Sequence, residues 1–137
     1  MVRSEVIRKR LDRLTEYLEI LRGQQAYSYE ELAGDPERYG STERFLQLSV
    51  EVLIDMGNHV VADEQLGTVN WHSDIPDILA RHGYIDAALR ERWVRMIGFR
   101  NILVHAYLEI DRRVVYEVLQ HGLDDIAALA GVFAGLI

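Results

Sequence analysis

An eight-residue segment, Arg-Asn-Ile-Leu-Val-His-Ala-Tyr at positions 100–107, holds the side chains best suited to chemistry. Arg100 is a permanent cation, His105 carries an imidazole, and Tyr107 carries a phenol. A planar guanidinium binds phosphate through parallel N–H donors, and an imidazole is the side chain best able to move protons near neutral pH. The combination indicates acid–base chemistry on a phosphodiester without a metal ion.

Arg100 stands where a packing residue is expected. The spacing of Trp93 and Ile97 predicts a helix with an apolar stripe facing a core, and Arg100 interrupts that stripe. An unpaired buried charge is very unfavourable, so the guanidinium needs open water or an anionic partner. That partner is either a bound phosphate or an upstream carboxylate, Glu51 or Asp55. With a carboxylate, Arg100 would form only a structural ion pair.

The spacing within the segment restricts how its side chains can act together. Asn101 and His105 lie four residues apart on one helical face, so the Asn101 amide can orient the imidazole. Arg100 and His105 are five residues apart, which separates them by roughly 140° on a regular helix. We therefore expect either that the helix frays near His105 or that two copies of the chain face each other as a two-fold dimer.

No metal or cofactor site is predicted. The chain has no cysteine, which excludes a disulfide framework and a thiolate metal site. The histidines are scattered without the spacing of metal ligands. They are His59, His72, His82, His105 and His121.

Charge and hydropathy restrict the class of protein. A net charge of −7 argues against broad binding to nucleic acid. Between positions 81 and 113, however, arginines outnumber carboxylates, which predicts a local basic cleft around the motif. The charged stretch at positions 1–13 lacks the apolar core of a signal peptide, and no apolar stretch approaches the roughly 20 residues needed to span a bilayer. We expect a cytoplasmic protein that does not insert into a membrane.

Helical periodicity runs through the sequence and predicts one all-α domain over residues 1–137, an antiparallel bundle of four to five helices. The predicted elements are a helix over Ile7–Leu21 stopped by Gly23, a capped turn over Tyr29–Ala33, a long helix from Asp35-Pro36 to about Ala62, a connector over residues 63–72, a short helix with Pro76 in its first turn that ends at His82-Gly83, and helices capped by Asp86 and Asp111, the last with Val114 to Phe133 inward. The long helix also carries a polar stripe, for which a solvated face is the simplest interpretation. The stripe consists of Arg44, Gln47, Glu51, Asp55 and Asn58.

The pattern Arg-x4-His-x-Tyr, preceded by Met96-Ile97-Gly98-Phe99, resembles the hallmark of HepT-type toxins, a branch of the HEPN superfamily. The long helix is also similar, from Glu43 through Glu51 to Asn58-His59, and the resemblance covers nearly the whole chain. It implies a metal-independent endoribonuclease toxin that acts as a homodimer. In such an enzyme the ribose 2′-hydroxyl attacks the adjacent phosphate and leaves a 2′,3′-cyclic phosphate and a 5′-hydroxyl.

The resemblance also implies roles for individual residues. His105 would be the general base, Arg100 would stabilise the charge on the phosphate oxygens, and Asn101 would hold the imidazole. The polar stripe would line the cleft opposite the motif, with Arg44 or Gln47 supporting the site. The implied partner is a minimal nucleotidyltransferase antitoxin that adenylylates Tyr107.

Two other functions stay open at this stage. The chain could be a non-catalytic helical module that docks a nucleotidyltransferase or a nucleotide, which its acidic charge favours. A purely structural helical adaptor is the third possibility, but it leaves Arg100 unexplained. Cleavage of RNA by the purified protein separates the first function from both of the others.

Overall fold

The computed structural model describes residues 1–137 and consists of α-helices joined by short segments, with no β-strand. In chain order the helices are α1 (Ser4–Gln24), α2 (Tyr29–Ala33), α3 (Pro36–Asp63), α4 (Asp74–Arg81), α5 (Ala87–His105), a 3-10 turn (Tyr107–Glu109), α6 (Arg112–His121) and α7 (Leu123–Ala134). The predicted all-α bundle is confirmed. None of these helices is both long and apolar enough to cross a membrane.

Helix α3 is the central element, because it contacts every other α-helix. It runs antiparallel to α1. Arg3 at the start of α1 donates to Asp63 at the end of α3, whereas Gln24 at the end of α1 bonds to Ser41 and Thr42 near the start of α3. The apolar faces of the helices meet in one continuous core around α3.

Side-chain caps fix where several helices begin. Ser28 accepts the backbone N–H of Glu31, and the Glu31 carboxylate accepts the N–H of Ser28, which is the reciprocal capping box expected from their spacing. The carboxylates of Asp35, Asp86 and Asp111 cap α3, α5 and α6 by accepting backbone N–H groups of the first turn, without a reciprocal bond. The predicted starting points of these helices are therefore confirmed.

The predicted last helix is wrong in one respect, because Gly122 divides it into α6 and α7. With the short helices α2 and α4 included, the chain has seven α-helices. A Cβ atom at position 122 would lie 2.7 Å from the carbonyl oxygen of Val118, so only glycine permits this close turn of the backbone. The predicted inward face of α6 is also wrong in part, because Val115 is buried whereas Val114 is 48% exposed.

A glycine in α3 lies where α4 and the motif-bearing helix α5 pack against it. A Cβ atom at Gly57 would overlap the Ile75 methyl group of α4 and lie 3.1 Å from the Trp93 ring of α5. Both neighbours are fully buried, and Trp93 packs edge-on against Phe133 of α7. The absence of a side chain at Gly57 lets α4 and α5 approach α3 closely.

The connector between α3 and α4 covers residues 64–73, one residue later than predicted. Its last part is fixed by Asp74, whose carboxylate accepts the backbone N–H groups of Asn70 and Trp71, each at 2.9 Å. The half-buried side chains of Leu66 and Val69 attach the rest of the segment to the core. The connector therefore has a defined path across the end of α5.

Candidate functional site

The motif lies in a cleft with a volume of about 440 Å³ between α5 and the connector. One wall comes from α5 and the other comes from the residues just before α4. The lining residues are Asn70, Trp71, His72, Ser73, Arg100, Asn101 and His105. Three of the residues predicted as catalytic are thus brought together in one cleft of a single chain.

Arg100 is held by an ion pair with Glu51 of α3. Its Nε and NH2 groups donate to Glu51 Oε1 at 3.3 and 3.2 Å, and its NH1 group donates to Asn101 Oδ1 at 3.1 Å. The Arg100 side chain is only 16% exposed, which makes this pairing necessary. A guanidinium has five N–H bonds, so two remain free for an anion in the cleft. The structural ion pair and a phosphate-binding role are compatible.

The polar stripe of α3 divides between two neighbours. Gln47 Nε2 donates to Glu51 Oε1 at 3.0 Å, so Gln47 supports the carboxylate that holds Arg100. Asp55 instead pairs with Arg10 of α1. Arg44 is exposed, does not line the cleft, and makes no side-chain hydrogen bond or ion pair. Of the two predicted supporting residues, only Gln47 is connected to the motif.

His105 is the last residue of α5, and its exposed ring has no hydrogen-bond partner within the chain. The helix stays regular up to His105 and ends there, at the place where one of the two expectations put a disruption. No hydrogen bond joins the Asn101 amide to the imidazole, and Asn101 Oδ1 accepts from Arg100. Arg100 and His105 nevertheless line the same cleft, whose other wall is formed by residues 70–73.

Tyr107 follows the end of α5 in the 3-10 turn and is 64% exposed. Together with His105 it lines a shallow depression that adjoins the main cleft at His105. Its phenol makes no side-chain hydrogen bond. An enzyme acting on this chain can therefore reach the hydroxyl group without unfolding the bundle.

The expected concentration of arginines around the motif is wrong. Arg90 pairs with Asp77, Arg92 with Asp125 and Arg95 with Glu91. Two more stack on aromatic rings, Arg112 over Tyr39 and Arg113 over Tyr29. Only Arg100 lines the cleft, so the excess of arginine in this part of the sequence does not produce a basic surface there.

The sequence prediction missed the connector wall of the cleft. Residues 63–72 were interpreted as a simple link, yet Asn70, Trp71, His72 and Ser73 form more than half of the lining. The available signal was Trp71-His72, two adjacent residues with ring side chains at the end of the connector. No group of three or more His, Cys, Asp or Glu side chains is arranged to hold a metal ion.

Comparisons with known proteins agree with the motif. The family model described as "Ribonuclease HepT-like" matches residues 7–132. An mRNA nuclease HepT of Shewanella oneidensis is 38% identical over 80 residues, an alignment that covers 58% of this chain and 60% of that protein. A tRNA nuclease HepT of Aphanizomenon flos-aquae is 26% identical over 118 residues, covering 86% of this chain and 80% of that protein.

Solved structures of toxin–antitoxin complexes share the fold. The tri-AMPylated HEPN toxin of Shewanella oneidensis, in complex with an MNT antitoxin, superposes with a TM-score of 0.87 at 27% identity, covering 95% of this chain and 97% of that one. A toxin–antitoxin structure with AMP-PNP gives a TM-score of 0.88 at 25% identity and covers 96% and 98% of the two chains.

The partly buried pair of Arg100 and Glu51 should make a measurable contribution to stability. In a double-mutant cycle with Arg100→Met and Glu51→Gln, followed by urea unfolding, we expect a coupling energy of about 1–2 kcal/mol. The exposed pair of Arg13 and Glu16 is the control and should give a clearly smaller coupling. A coupling near zero for Arg100 and Glu51 would mean that Glu51 does not hold the guanidinium in solution.

Proposed function

This chain belongs to the HepT-like family, and we propose that it is the endoribonuclease toxin of a toxin–antitoxin pair. The observation that carries the proposal is the cleft in which Arg100, Asn101 and His105 lie together, with two guanidinium N–H bonds free. These side chains can supply charge stabilisation and proton transfer by themselves, so the reaction is proposed to be metal-independent. The nuclease names of the two HepT relatives support the same reaction class.

In the proposed reaction His105 removes the proton of a ribose 2′-hydroxyl. The 2′-oxygen attacks the adjacent phosphorus, and the bond from phosphorus to the 5′-oxygen breaks. Arg100 stabilises the charge on the non-bridging oxygens through its two free N–H bonds. A proton delivered to the 5′-oxygen completes the step and gives a 2′,3′-cyclic phosphate and a 5′-hydroxyl. Asn101 orients Arg100, from which it accepts a hydrogen bond, and orients the imidazole once RNA is bound.

A homodimer is proposed to supply the acid for this step. The attacking 2′-oxygen and the leaving 5′-oxygen lie in line on opposite sides of phosphorus, so one imidazole cannot contact both oxygens in a single concerted step. The His105 of a second copy, facing the first across a two-fold axis, can deliver the proton to the 5′-oxygen. Ile102, within the motif, is 49% exposed and would be covered by the second copy. A second copy is not needed to unite Arg100 with His105, because one chain already does so.

The proposed antitoxin is a small nucleotidyltransferase that adenylylates Tyr107. The relevant relative is an AMPylated HEPN toxin bound to an MNT antitoxin. In this chain the exposed phenol of Tyr107 is accessible and lies beside the cleft. A phosphate attached there would compete with the RNA backbone for Arg100, and the attached adenosine would obstruct entry.

A non-catalytic module that docks a nucleotidyltransferase or a nucleotide is the second candidate function. Two observations favour it. The chain carries a net charge of −7, and the expected excess of cleft arginines reduces to Arg100 alone. Such a module would still need the exposed Tyr107 surface, but it would not need His105. The difference between the two functions is therefore the effect of His105 on cleavage.

The catalytic roles predict that purified protein cleaves single-stranded RNA in the presence of a chelator. His105→Ala should lower kcat by about 10²–10⁴-fold because proton transfer is lost. Arg100→Ala should lower it by about 10²–10³-fold because charge on the phosphate is no longer stabilised. His121→Ala is the matched control, since His121 is also the exposed last residue of a helix. Equal cleavage by all four proteins, with folding checked by circular dichroism, would refute these roles.

The dimer proposal predicts a light-scattering mass of twice the 15.8 kDa chain. Ile102→Glu should shift the protein toward a monomer, because it puts a charge into the proposed seam. Ile20→Glu is the control, since Ile20 is 41% exposed on α1 and lies away from the cleft. A monomer at every accessible concentration of the parent protein would exclude the dimer.

The regulatory proposal predicts that the partner nucleotidyltransferase and ATP add AMP to Tyr107 and stop cleavage. Tyr107→Phe should remain active and escape this inactivation, because it keeps the ring and loses only the acceptor hydroxyl. Tyr116→Phe is the control and should be inactivated like the parent, since Tyr116 is half-buried against Tyr29. Peptide mass spectrometry decides the site, and modification at another residue would contradict the proposal.

A further inference from the structure

The connector wall of the cleft contains an aromatic side chain that the proposed reaction does not use. Trp71 is 75% exposed although it is the largest type of apolar side chain, and it is the one hydrophobic residue of the cleft lining. The only other tryptophan, Trp93, is fully buried in the core. An isolated exposed aromatic residue is ordinary, but this one stands across the cleft from Arg100 and His105.

The backbone that carries Trp71 is fixed in place. The N–H groups of Asn70 and Trp71 both donate to the Asp74 carboxylate at 2.9 Å, and the carbonyl of Trp71 accepts the N–H of Asp74 at 3.0 Å. The next carbonyl, of His72, accepts the N–H of Ile75 at 3.2 Å. An ordered turn at the start of α4 thus holds the backbone of the exposed indole. Because this backbone is already ordered, binding of a ligand to Trp71 costs less conformational entropy of the protein.

The other lining residues indicate the charge of the ligand. None of the seven is acidic, although the whole chain has 22 acidic and 15 basic residues. Six carry polar or basic groups, and Arg100 keeps two N–H bonds free. A ligand that is anionic at one end and has a flat aromatic surface at the other would match both walls, with the anion on Arg100 and the flat surface on Trp71. A nucleotide unit of a single strand has this chemistry.

We propose that Trp71 is a stacking platform for a nucleobase next to the phosphate bound by Arg100. The inference rests on the proposed function, whose substrate it narrows to RNA with an unpaired, unstacked base at the cleft. Every base offers a flat face, so Trp71 contributes affinity with little preference for sequence. It is a substrate-binding residue, and the proton transfers remain with His105.

Tryptophan fluorescence can report binding at the cleft directly, because Trp71 is exposed there and Trp93 is buried in the core. A single-stranded 2′-O-methyl RNA oligonucleotide lacks the attacking hydroxyl, so it can bind without being cleaved. Titration should quench the fluorescence of Trp71 and leave the buried Trp93 unchanged, and Trp71→Ala should abolish the quenching. We expect Trp71→Ala to weaken binding by about 10-fold or more, as the loss of one stacked base does. Trp71→Phe should bind within a few-fold of the parent.

The kinetic experiment uses cleavable RNA. Trp71→Ala should raise KM for a single-stranded substrate by about 10-fold with a much smaller change in kcat, and Trp71→Phe should restore KM. Ile20→Ala is the control for loss of an exposed apolar side chain and should behave as the parent. If Trp71→Ala binds and cleaves as the parent does, the stacking role is wrong while the proposed function stands.

The remaining outcomes are also distinguishable. If no protein cleaves RNA but the oligonucleotide still quenches Trp71, the proposed reaction is wrong and the nucleic-acid site is retained. A second copy of the chain could cover Trp71 instead of a base. In that case light scattering would show that Trp71→Ala dissociates the protein, and added oligonucleotide would leave the fluorescence unchanged. That result would overturn the inference.

Discussion

The ion pair between Arg100 and Glu51 is the interaction on which the candidate site depends. It takes a guanidinium that is mostly removed from water and fixes it between two helices, with Gln47 behind the carboxylate and Asn101 beside the guanidinium. Removing the partner would leave a desolvated charge without compensation, which is far more costly than losing an exposed ion pair. The same contact fixes the orientation of the guanidinium relative to α3, so the direction of its two free N–H bonds does not depend on the freedom of a flexible side chain.

This pair is possible only because α5 lies close to α3. Gly57 provides the space on one side, where any side chain would overlap Ile75 and crowd Trp93. The buried Trp93 then anchors α5 one and a half to two turns before the motif, with Phe133 of α7 packed against its ring. Packing in the core thus determines where α5 holds the side chains of the candidate site. Substitutions at Gly57 or Trp93 act on the site through the distance between helices, although neither residue lines the cleft.

Local patterns were sufficient to predict most of the fold. Caps at Ser28, Asp35, Asp86 and Asp111 give the helix starts directly, because each depends on residues within one helical turn. The division at Gly122 was missed because the apolar spacing continues across it. The cleft was predicted only in part, for a different reason. The sequence does not show which arginines remain unpaired, nor that the connector faces the motif. Both depend on contacts between residues far apart in sequence, such as Arg92 with Asp125.

The pairing of the other arginines changes how the acidic net charge should be interpreted. Three of the arginines near the motif in sequence are paired with carboxylates, and two more are stacked on aromatic rings outside the cleft, so none of these five adds positive charge to the cleft itself. Recognition then depends on the short-range composition of one cleft without carboxylates. A site of this kind would bind a few nucleotides at a time and would show a weaker dependence on salt than a broad basic surface, because few phosphates are neutralised. Selectivity for a particular RNA would have to come from its shape, from the second copy of the chain, or from both.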